Sequence, residues 1–152
     1  MSSRFKRKGK AKFVMIDGYI MRSAAWDALT PVDRAAYLFF KWKFDGLNNG
    51  RLALGCRELA AGIHVSKNTA NRSLDNLEGK GFIARTKLSG FNIKNRVATE
   101  WRLTEYPCGV TGELPTKEFM KWAPDEESTV PPEGRTVPPE GQKRPQRKVK
   151  YG

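Results

Sequence analysis

The stretch Leu59–Ile83, LAAGIHVSKNTANRSLDNLEGKGFI, constrains the fold of this 152-residue chain more than any other part of it. It carries two helical patterns set too close together to fold independently. Arg57 to Gly62 forms the first; Ser66 to about Glu78 forms the second, and Gly79-Lys80-Gly81 stops it. Ser66 suits the N-cap, where a hydroxyl accepts from one of the helix's unpaired amides. At roughly 100° per residue, Ala70, Leu74 and Leu77 fall within about 60° of one another and must face a core, with Ser73 beside them. His64 stands where the chain turns between the helices. Left-handed backbone is costly for most residues but is visited more readily by Asn, Asp and His. This single histidine therefore reads as a turn residue rather than a ligand or a pH sensor.

The flanks supply what the pair packs against. Thr30-Pro31-Val32-Asp33 is a strong helix start, with Thr30 at the N-cap, Pro31 at the first position and Asp33 at the third, where its charge meets the helix dipole. The helix that follows offers a wide apolar face of Val32, Ala35, Ala36, Phe39 and Trp42 with Leu38 and Phe40, and should end before Gly46 as the central core helix. Ser23 caps a brief helix through Trp26 and Leu29. Phe13-Val-Met-Ile16 is β-prone and reads as a short strand; Asn48-Asn49-Gly50 makes a turn, and Arg51 to Leu54 a short strand. Phe82 to Leu88 and Val97 to Leu103 read as strands joined by a turn at Ser89-Gly90, with Val97, Thr99, Trp101 and Leu103 alternating. Trp26, Trp42 and Trp101 sit among periodic apolar residues and are expected in the core. The class is α+β, and helix, short strand, helix, helix, β-hairpin is the order of a winged helix.

Residues Leu59, Ala60, Ile63, Val65, Ser66, Thr69, Ala70, Arg72, Leu74, Leu77, Glu78, Gly81, Phe82 and Ile83 resemble the winged helix-turn-helix pattern of bacterial regulators such as the gluconate-repressor and multiple-antibiotic-resistance families. The hairpin extends the resemblance to Leu103. It implies a double-stranded DNA-binding protein whose second helix enters the major groove. The family pattern has glycine where this chain has His64. The longer stretch from Trp26 through NNGRLAL to ATEWRLT is similar to small helix-turn-helix proteins of alphaproteobacteria, some of them related to plasmid or phage replication proteins.

Opposite the apolar side of the second helix lie Asn68 and Arg72, flanked by Thr69, Asn71, Asp75 and Asn76, with Lys67 at the N-terminal tip. Arginine matches the two acceptors of guanine, and asparagine the acceptor and donor of adenine. The amides beside Ser66 suit a phosphate. Polar rather than charged residues dominate this side, whereas a merely solvated one would carry more Glu and Lys. The hairpin region adds Lys80, Arg85, Lys87, Lys94, Arg96 and Arg102 against Glu100, a set suited to phosphate contacts and a minor-groove arginine. Lysines also keep exposed hairpins from pairing with other strands, which explains single residues more readily than the whole set.

The formal charge of +12 points to a polyanionic partner. Residues 1–12 hold six bases and no acid, residues 13–103 hold 14 bases and 8 acids, and from Thr104 onward 8 bases cancel 8 acids. The excess lies on the expected domain and the arm before it. The reading is therefore a disordered basic arm over 1–12, a winged helix-turn-helix domain over 13–106, and a flexible tail over 107–152. That tail holds two copies of TVPPEG, Thr129–Gly134 and Thr136–Gly141, and a basic end. Lys117–Trp122 within it suggests a short docking segment.

Cys56 and Cys108 lack metal or CxxC spacing, which fits a reducing cytoplasm, and the N-terminal apolar stretch is too short and broken for a leader or a span. One histidine, no zinc spacing, no phosphate loop and no distinctive carboxylate pair argue against an enzyme, a cofactor or a metal. Sequence-specific binding to double-stranded DNA at the nucleoid, most simply for transcription regulation, is the leading expectation. A replication or maintenance factor binding origin repeats is the first alternative, and a module for protein or RNA the second, with a protein partner on the tail. No heptad run indicates an oligomeric state.

Overall fold

Capping residues set where the helices begin. In the computed structural model, which describes residues 11–87 and 98–125, the Ser23 hydroxyl accepts from the Trp26 amide and starts α2 (Ala24–Asp27), just after the single turn α1 (Gly18–Met21). Helix α3 (Pro31–Lys43) opens with a reciprocal cap: the Asp33 amide donates to Thr30 Oγ1 and the Thr30 amide to Asp33 Oδ2. Then come β1 (Leu52–Ala53), α4 (Cys56–Ile63), α5 (Lys67–Gly79), β2 (Ile83–Lys87) and β3 (Glu100–Leu103). The strands form one antiparallel sheet in the order β1-β3-β2, with Leu52 opposite Trp101 and Ile83 opposite Leu103. The architecture is α+β, and none of the described helices is long and apolar enough to cross a membrane.

The buried side of α3 differs from the one expected from its apolar residues. Asp33, Ala36, Tyr37, Phe40 and Lys41 are buried; Val32, Ala35 and Phe39 are half-buried, while Leu38 and Trp42 are 43% and 48% exposed. The helix is turned by about one residue, roughly 100°, because three polar groups on the buried side find partners. Asp33 serves the cap, and Tyr37 and Lys41 both reach Glu105. Trp42 is thus not a core residue; Lys12 Nζ lies 4.5 Å from its ring centroid. Trp26 and Trp101 are buried as expected.

The core fills the space between α3, the α4–α5 pair and the sheet. Tyr37 packs on Phe82 at 5.2 Å between ring centroids, and Phe82 stacks on Phe119 at 4.9 Å with the planes nearly parallel. A β-carbon at Gly62 would come within 2.4 Å of the Phe39 ring, so the absent side chain lets α4 close on α3. Asn49 clamps the sheet to the segment after it: its Oδ1 accepts from the Leu103 amide at 2.6 Å, and its Nδ2 faces the Leu103, Tyr106 and Pro107 carbonyls at 2.9–3.2 Å.

Two segments depart from the sequence reading. Phe13–Ile16 forms no strand; none of the strands among the described residues pairs with it, and a lone extended segment leaves its backbone ladder unmade. The packed unit also continues past Tyr106. Cys108 and Phe119 are buried, and a 3-10 turn over Glu118–Met120 docks on Gly81, whose carbonyl accepts from the Phe119 amide. Gly81 has φ +81°, and a β-carbon there would lie 2.7 Å from the Phe119 amide nitrogen. Residue 81 is therefore glycine for two reasons, the backbone conformation and the close approach of this turn. Residues 1–10, the Ser89-Gly90 turn, Val97 and both TVPPEG copies lie outside the described residues.

Candidate nucleic-acid interface

The two helices α4 and α5 meet at a turn built by one residue. His64 closes α4 with φ 57° and ψ 47°, the left-handed conformation, and the Val65 amide then donates to the Ala60 carbonyl. Ser66 follows as N-cap of α5, accepting from the Thr69 amide at 3.2 Å. Ala70, Ser73, Leu74 and Leu77 are buried. Of the remaining residues of the first two turns, Lys67, Asn68, Asn71 and Arg72 are exposed and Thr69 is half-buried.

The expected site residues fall into three groups. Lys67, Asn68, Asn71 and Arg72 share one outward surface, and Lys87 is exposed at the end of β2. Thr69 is half-buried, with Oγ1 2.9 Å from Ser66 Oγ, so both hydroxyls are engaged in the cap. Asn76 turns toward α3 instead of outward: its Nδ2 lies 3.3 Å from Asp33 Oδ2, because Asp33 is the buried acceptor nearest that turn. Lys80 follows the far end of α5, about 20 Å along the axis from Lys67 at 1.5 Å per residue, with Nζ 5.4 Å from the half-buried Trp122 ring. Lys94 and Arg96 lie outside the described residues.

Arg85 is not a free cation. Its Nε donates to Glu78 Oε2 at 2.9 Å, and a terminal nitrogen lies 3.4 Å from Asp75 Oδ1. Arg102, further along the sheet, is paired to Glu113 at 2.5 Å. These pairs join residues distant in sequence, which composition and periodicity do not reveal. The available signal was that Asp75 and Glu78 are the only acids on α5.

The charges on the two helices are sorted in a way that bears on function. Every acid of α4 and α5 is paired: Glu58 with Lys43, and Asp75 and Glu78 with Arg85. The three bases of the same helices, Arg57, Lys67 and Arg72, are exposed and have no acid partner among the described residues. The sequence reading passed over Arg57, although it lies in the first turn of α4. The surface can donate hydrogen bonds and attract polyanions. Among the described residues no group of His, Cys, Asp and Glu side chains is placed to hold a metal ion. No protein family, curated protein or solved structure matches the chain.

Proposed function

We propose that this chain is a winged helix-turn-helix protein that binds double-stranded DNA in a sequence-specific manner, most simply as a transcriptional regulator. The observation that carries the reading is the sorted charge of the α4–α5 pair: every acid is paired and, among the described residues, no base has an acid partner, on two helices joined by a tight left-handed turn. The first two turns of α5 would enter the major groove. There Arg72 suits guanine, Asn68 and Asn71 suit adenine, and Lys67 a phosphate at the helix start. Strand β2 directly follows α5 and stands at one edge of the sheet order β1-β3-β2, and Lys87 at its end would lie along the backbone.

Selection of bound duplexes from a random pool tests this, followed by variants on the selected site. Arg72→Ala should weaken binding by about 1–3 kcal/mol and relax preference at one position. Lys87→Ala should weaken all duplexes alike and reduce the salt slope by about one unit. Failure to enrich any duplex overturns the reading. Footprints across the genome then separate promoters, which regulation requires, from clustered origin repeats.

A further inference from the structure

Arg85 is held on three sides. Two are the acids of α5, Glu78 at 2.9 Å and Asp75 at 3.4 Å. The third is the Trp101 ring, 5.1 Å from the guanidinium, itself fixed by an Nε1–H bond to the Leu54 carbonyl at 2.9 Å. Arg72 stands three residues before Asp75, and helical side chains at that spacing are neighbours, with β-carbons about 5–6 Å apart. Asp75 is the only acid within one turn of Arg72; the other neighbouring positions are Asn68, Thr69 and Asn76. Asp75 is therefore the one carboxylate of its own helix that Arg72 can reach. In the fold it is Arg85, arriving from β2, that lies 3.4 Å from it.

On the DNA-binding reading above, we propose that Arg85 is a positioning residue for Arg72. By holding Asp75 and Glu78 it leaves Arg72 uncommitted for base contact and keeps the outer surface of α5 free of unpaired carboxylates. Arg85 itself contacts no DNA. An exposed Arg72–Asp75 pair is weak, so its competition is a small part of the effect. The larger part is two bare carboxylates brought up against phosphates.

The test uses the full chain and a selected duplex. R85Q should weaken the selected site by about three- to tenfold, and D75N/E78Q/R85Q should return it to within about twofold of the parent. The triple variant lacks the same ion pairs as R85Q, so stability lost in R85Q stays lost. Rescue of affinity without rescue of melting temperature shows that Arg85 acts by holding the two carboxylates rather than by stabilising the fold; the positioning of Arg72 itself is read from its side chain. A phosphate contact predicts a shallower salt slope and no rescue, and that result overturns the proposal, as does an R85Q protein that binds like the parent. A second measurement needs no DNA: the Arg72 Nε–H resonance should report a mobile side chain in the parent, a restrained one in R85Q and a mobile one again in D75N/R85Q. An unchanged Arg72 in R85Q overturns the proposal even where DNA binding holds. The expected Arg72 response in a parent that selects no duplex counts against the DNA-binding reading instead, and ends the claim about base contact with it.

Discussion

His64 is the residue on which the helix pair turns, and its backbone is unfavourable for a side chain. A left-handed non-glycine residue costs roughly 1–2 kcal/mol, against the larger entropy that glycine loses on folding, about 0.5–1 kcal/mol. His64→Gly should therefore be neutral to about 1 kcal/mol stabilising, measured by urea denaturation. A clear loss would mean that the imidazole makes a contact its exposure does not suggest. The turn was legible because only a few residue types tolerate such a φ. Asn76 was not legible: helical angle placed it near the outward side, and a buried Asp33, distant in sequence, drew it inward.

At the scale of elements, α3 and the chain after β3 are joined by a buried polar cluster. Lys41 pairs with Glu105, with side chains only 3% and 1% exposed, and Tyr37 Oη donates to the same carboxylate at 2.6 Å. Lys41→Met alone should destabilise by about 3–5 kcal/mol, because Glu105 would remain buried and unpaired; K41M/E105L should recover most of that loss. Chemical denaturation of the three proteins decides it. The cluster also sets an alkaline limit. Burial, then the Glu105 charge and its hydrogen bond, push the Tyr37 hydroxyl well above its usual 10.0. The folded form thus keeps a proton that the unfolded chain releases. This contribution is fully present below about pH 10 and is lost as pH rises above it. Tyr37→Phe should flatten that decline in stability curves measured on both sides of pH 10. The same cluster explains the misplaced side of α3. Apolar periodicity finds the buried stripe only where polar residues stay out, and here three lie within it.

At the scale of the molecule, the segment after Tyr106 closes the core. Phe119 is fully buried, stacked on Phe82 and 6.1 Å from Tyr19 between centroids. Phe119→Ala should cost about 3–5 kcal/mol, read as a lower denaturation midpoint. A change below 1 kcal/mol would mean that residues 107–125 are dispensable for folding. Sequence alone marked Lys117–Trp122 as a docking segment but showed no place for it. The place is the backbone at Gly81, which closes only when α5, β2 and the returning chain are assembled.

What the sequence determined by itself was local: helix starts at Ser23, Thr30 and Ser66, the turn at His64, the strand alternation at Trp101 and Leu103, and the inward stripe of α5. Each follows from hydrogen bonds and steric limits within a few residues. Only the tertiary structure decided which charges stay free. Arg85, Arg102, Asn76 and Lys41 find partners across 10, 11, 43 and 65 positions of chain at most. A charge meets its counter-ion by distance in space, which the order of residues does not state until the chain has folded.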